Sequence, residues 1–149
     1  MPHQSDPGNR ITRFYGRLNA FCRARGYRTA YAIEAKQGRI LCVRRTLQRS
    51  GAEPLDTAFD FWDSETGLPL TIRDAFGDRA RARILTAAMR KAEALGGDRA
   101  GFLTDRMRRL EKAFQEGAVG YTRDGTVLLC PSGTVLPEAY GPVLLSIDP

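Results

Sequence analysis

Eighteen consecutive residues, Phe59 to Phe76 (FDFWDSETGLPLTIRDAF), leave few folds open to this chain. The run begins as a strand with Phe59 and Phe61 on one face and Trp62 on the other. Asp63-Ser64-Glu65-Thr66-Gly67 then reads as a turn, in which carboxylates accept from backbone amides and the glycine takes a positive φ. Leu68–Ile72 continues extended, and Asp74 is placed to cap a helical turn holding Ala75 and Phe76. A strand, a tight turn and a helix start in so short a space imply an α+β protein with antiparallel pairing.

The rest of the pattern agrees. Ile11, Phe14, Tyr15, Leu18, Phe21 and Cys22 recur at three- and four-residue spacing, which predicts a helix capped by Asn9 and ended by Gly26. Tyr27–Ala35 and Arg39–Leu47, joined by Lys36-Gln37-Gly38, predict a hairpin in which Tyr31, Ile33 and Ala35 share the apolar face. Ile84, Leu85, Ala88, Met89, Ala92 and Leu95 form the stripe of a second helix. Leu103, Met107, Leu110 and Phe114 form that of a third, with Asp98 as its cap. Gly117–Thr122 and Thr126–Cys130 flank Arg123-Asp124-Gly125 as a hairpin, and Pro142–Ile147 is a final strand. The expected fold is α+β: an antiparallel sheet with three main helices packed against it. It forms one domain over residues 10–149, after a flexible segment at 1–9.

Composition excludes several kinds of chemistry. The only histidine, His3, lies in the N-terminal segment, and Cys22, Cys42 and Cys130 are far apart with no CxxC. A zinc site, a histidine-based triad or another metal centre is not expected, and neither is a cofactor. No apolar run approaches the ~18 residues that span a bilayer, and MPHQSDPGNR lacks the apolar core of a signal peptide. The chain as written is expected to be soluble and cytoplasmic, or extracellular if an export segment has been removed. Its net charge of +6 points to an anionic polymer, nucleic acid or an acidic protein. Residues 79–116 carry ten Lys/Arg against five Asp/Glu, so nucleic-acid binding through these helices is one reading of the excess. No aromatic residues are interleaved with those arginines for base stacking, which makes it the weaker reading.

The order of motifs resembles the DUF3298 domain, with its preceding portion known as DUF4163. The resemblance rests on the helix Ile11–Cys22, the strand pair Tyr31–Leu47 and the turn Asp63–Gly67. It extends to the apolar pair Leu68–Ile72, the helix start Asp74-Ala75-Phe76, Tyr121 to Gly125, and Tyr140-Gly141-Pro142 through Ile147. It covers nearly the whole chain from residue 10. It implies a bacterial binding domain of the kind found in RsiV-type, lysozyme-sensing anti-sigma factors and beside peptidoglycan deacetylase domains. Many relatives carry Gly-Gly-Ala-His before the third strand, where this chain has Ser50-Gly51-Ala52-Glu53 and no His. Lysozyme is itself cationic and would meet a +6 chain with long-range repulsion, so it is not the expected partner.

No catalytic signature stands out. Asp60, Asp63, Glu65 and Asp74 form the only dense carboxylate group, which leaves a carboxylate-based hydrolase as a second alternative. The leading expectation is a non-enzymatic binding domain for a protein or anionic glycan. Its surface would use the loops at 49–54 and 136–142, with Arg44, Arg45 and Arg49 as carboxylate receptors and Tyr140 beside Pro142 as an aromatic anchor.

Overall fold

The computed structural model describes residues 7–49, 54–96, 105–136 and 138–147. The fold is α+β, and its strands are divided between a four-stranded and a three-stranded antiparallel sheet. The chain separates into two compact units that meet in sequence at Thr71 and Ile72.

The N-terminal unit contains α1 (Pro7–Arg23), β1 (Tyr27–Gln37), β2 (Ile40–Arg49), β3 (Pro54–Asp63) and β4 (Pro69–Leu70), with strand order β1-β2-β3-β4. α1 starts at Pro7, two residues before the expected cap Asn9. Proline suits a first turn because its φ is preset and its missing N–H would be unpaired there. Gly26, at φ +82, ends the helix as expected. Tyr15 of α1, Val43 of β2 and Trp62 of β3 form the buried centre, with Ile11, Leu18 and Leu41 packed against it. Phe59 and Phe61, two residues apart from one another on β3, are buried as well and alternate with Trp62 as the pleat requires.

One expectation for this sheet is overturned. Tyr31 and Ile33 are 51% and 65% exposed, so they do not form a core face. β1 is an edge strand with β2 as its strand neighbour, and the register shifts between Ile33 and Ala35, which breaks the alternation.

Two polar networks fix this unit. The Trp62 indole N–H donates to the Tyr15 hydroxyl (2.9 Å), which donates to Asp60 Oδ2 (2.7 Å). Arg45 closes the chain, its Nε 3.0 Å from the same oxygen. Burial is the main cause that pushes the Tyr15 phenol well above its ordinary range, so it stays protonated as the donor in this chain. The second network is the Asp63 turn. Its Oδ1 accepts from the amides of Glu65 (2.8 Å) and Thr66 (3.2 Å), and its Oδ2 accepts from Arg39 Nε (2.9 Å). The turn ends at Gly67 (φ +72), which is buried against α1: a Cβ there would lie 2.7 Å from the Pro7 carbonyl oxygen and 2.8 Å from its Cα.

The C-terminal unit contains α2 (Ile72–Phe76), α3 (Ala80–Gly96), α4 (Arg106–Ala113), β5 (Val119–Thr122), β6 (Gly125–Cys130), a 3-10 turn at Glu138–Tyr140 and β7 (Val143–Ile147). Its sheet runs β5-β6-β7. Ile84 and Ala88 of α3, Leu110 of α4, and Val119, Leu128 and Leu145 of the sheet share its core. Ile72 begins α2 instead of ending a strand, which places Asp74 inside the first turn and not at the cap. The Ile72 amide instead donates to the Glu116 carboxylate, 3.3 Å from each oxygen. The expected cap Asp98 lies outside the described residues.

Two substitutions test this account by urea unfolding. Gly67→Ala combines a positive φ with a backbone clash and is expected to cost about 1–3 kcal/mol or more. Tyr15→Phe leaves the Trp62 N–H without its buried acceptor and removes one of the two donors to Asp60 Oδ2, and is expected to cost about 1–3 kcal/mol.

Candidate functional site

The structure disperses the predicted arginine cluster. Arg44 and Arg45 are neighbours on β2 and so point to opposite faces of the sheet. Arg44 Nε lies 2.8 Å from Glu34 Oε1, while Arg45 holds Asp60 with Nε at 3.0 Å and a second nitrogen at 3.4 Å. Both guanidinium groups therefore already face a carboxylate of their own chain. Arg49, at the end of β2, is paired in register with Tyr27 and lies 5.8 Å from its ring centroid. The Ser50–Glu53 loop and Pro137 lie outside the described residues. In the C-terminal unit Tyr140 is 67% exposed in the 3-10 turn, and Pro142 is exposed just before β7.

The carboxylates are arranged for structure. The hydrogen bond from Arg39 is the first cause that holds the Asp63 carboxyl below its ordinary range, which is the opposite of what a general acid needs. Asp60 is shared by Tyr15 and Arg45. None of the three cysteines is in a disulfide; burial pushes the Cys130 thiol up to about 12, which removes it as a nucleophile near neutral pH. Among the described residues no three His, Cys, Asp or Glu side chains are grouped as a metal set, and no helix is long and apolar enough to cross a membrane.

A different region concentrates the positive charge of the N-terminal unit. Residues 7–37, which form α1 and β1, carry six arginines and one lysine against a single carboxylate, Glu34. That carboxylate is paired with Arg44. Arg10, Arg13 and Arg17 recur at three- and four-residue spacing on α1 and are exposed beside Phe14, which is 43% exposed. Where α1 gives way to β1, a cleft of about 630 Å³ is lined by Asn19, Arg23, Gly26, Tyr27, Arg28 and Thr29. Asn19 Oδ1 accepts from Thr29 Oγ1 (3.0 Å), which fixes the amide across the junction. No ion pair among the described residues engages Arg23 or Arg28, and no carboxylate lines the cleft. Arg49 does not line the cleft, although its guanidinium lies 5.8 Å from the ring centroid of Tyr27, which does. The signal is present in the sequence as the charge of residues 7–37, which the acidic segment after Glu53 offsets in the net charge of the chain.

The Asp63 network predicts an acid response with a definite sign. Above about pH 5 its carboxyl is charged in both the folded and the unfolded chain, so its contribution is constant. As pH falls below about 4 the unfolded chain takes up the proton first, and stability is lost until the folded carboxyl also protonates. Urea midpoints measured from neutral pH downwards are expected to fall more steeply for the native chain than for Asp63→Asn.

No family model and no curated protein matches the chain. Solved structures do. A DUF3298-family protein of Bacteroides fragilis aligns at a TM-score of 0.50 with 19% identity, over 94% of this chain and 58% of its own. A DUF3298-family protein of Pseudomonas aeruginosa aligns at 0.47 with 16% identity, over 82% and 57% respectively. The chain thus spans less than two thirds of the length of either protein. On the Bacteroides alignment and its own α+β architecture, the chain is a DUF3298-like domain in fold.

Proposed function

We propose that this chain is a non-enzymatic binding module of the DUF3298 type, and that its N-terminal unit receives an anionic partner. One observation carries the reading: the seven cations of residues 7–37 stand against one carboxylate, and that carboxylate is already paired. Cations held this close together repel one another, so the arrangement gains free energy when an anion arrives. The cleft at the α1–β1 junction gives that anion a place to dock. Arg23 and Arg28 supply forked donors, Asn19 supplies an amide, and Tyr27 supplies a ring face. An extended acidic polymer or an acidic protein surface would continue from there along Arg17, Arg13 and Arg10. Tyr140, exposed in the C-terminal unit, is a separate aromatic contact point for a protein partner.

The test is a salt titration of binding to poly-glutamate, heparin and single-stranded DNA. It compares the native chain with Arg23→Glu/Arg28→Glu and with Arg108→Glu/Lys112→Glu on α4. The cleft variant is expected to bind poly-glutamate or heparin about tenfold more weakly and to lower the salt slope by about two, with little effect from the α4 variant. The reverse pattern, strongest with DNA, would assign the basic helices of the C-terminal unit to nucleic acid instead. Equal indifference of both variants would remove the electrostatic reading.

A further inference from the structure

We infer that the outer edge of β1 is a self-pairing surface, on which a second copy of this chain adds its own β1 antiparallel to the first. This goes beyond the anion-binding reading and does not depend on it.

The edge has the features that pairing needs. β1 is eleven residues long and, among the described residues, is joined by a strand on one side only, β2, so its other side presents a row of backbone donors and acceptors. From Tyr27 to Ile33 the ladder with β2 is regular; the bulge comes after Ile33. Thr29-Ala30-Tyr31-Ala32-Ile33 contains no charge, no proline and no glycine, the residues that usually blunt an edge. Tyr31 and Ile33 are exposed, and Tyr31 is held in place by stacking on Tyr15 at 4.4 Å between centroids. An edge strand with ordered, exposed β-formers is suited to receive another strand.

The sequence also specifies which strand. Antiparallel pairing about Tyr31 sets Thr29 opposite Ile33 of the partner copy and Ala30 opposite Ala32, so aromatic and β-branched side chains meet on one face and small ones on the other. The same register brings Arg28 to the level of Glu34 of the partner copy, twice by symmetry. Shifting the centre to Ala32 would instead set Arg28 against Lys36. Glu34 is unusual in a way that fits. Its Oε1 is buried with no hydrogen bond reaching it, although Arg44 Nε lies 2.8 Å away as an ion pair. Arg28, in turn, is exposed and has no ion-pair partner among the described residues. A second copy would bring Arg28 to a carboxylate that it would share with Arg44.

Sedimentation equilibrium without added polymer tests the proposal. The chain is expected to show a monomer–dimer equilibrium, weakened at least about tenfold by Arg28→Glu, which faces Glu34 with a like charge. The register is tested by cross-linking in a Cys22→Ser background. A Tyr31→Cys variant lies on the twofold axis, where opposed Cα atoms are about 4.5–5.5 Å apart, and is expected to form a disulfide-linked dimer under mild oxidation. Lys36→Cys, which this register leaves unopposed, is not. A chain that stays monomeric at every concentration overturns the proposal. So does a dimer that ignores Arg28→Glu and does not cross-link through Tyr31→Cys, provided circular dichroism shows both variants folded.

Discussion

The N-terminal unit hangs on a single carboxylate. Asp63 receives two turn amides on one oxygen and Arg39 on the other, which locks the end of β3 to the start of β2. The Ser64 amide adds a bond to the Arg39 carbonyl at 2.7 Å, and the Asp63 carbonyl accepts from Gly67 at 2.7 Å. With the turn closed this tightly, Gly67 is delivered to the backbone of Pro7, and the start of α1 is fixed over the sheet. The direction of α1 then determines where its arginines stand. A turn motif that reads as a family mark is therefore also the part that aims the basic surface.

The Tyr15 chain complements it at the middle of the helix. Asp60 would be costly to half-bury alone, and it is made tolerable by a phenol and a guanidinium that both donate to it. Arg45 belongs to this framework. Substituting it would disturb folding and recognition together, which makes it a poor probe of binding. Arg23 and Arg28 are better probes, because no ion pair among the described residues holds them.

Much of the fold was legible because the deciding signals are local. The Asp63–Gly67 turn, the Gly26 helix end and the opposed faces of Phe61 and Trp62 depend on a few neighbouring residues. What failed depended on the edges of elements and on register. The alternation of Tyr31 and Ile33 resembles that of a core face, and only the position of β1 at the sheet edge leaves those side chains in solvent. Ile72 appeared to continue a strand, and Glu116, distant in sequence, gives its amide a carboxylate at a helix start. The pairing of Arg44 with Glu34 and of Arg45 with Asp60 follows from cross-strand register, which no single segment discloses.

The surface of α1 and β1 draws its charge from six arginines and one lysine and contains no histidine. Carboxylates, phosphate monoesters and sulfates differ from one another in where they take up a proton. If this surface takes up an anion, the pH profile of the complex carries information about that anion. A step near pH 6 would point to a phosphate monoester, whereas a loss near pH 4 would mix the titration of a carboxylate partner with that of the Asp63 turn. A fully sulfated partner would leave the profile flat. The Asp63 turn thus sets the lower end of the pH window in which such a profile reports on the ligand and not on the fold.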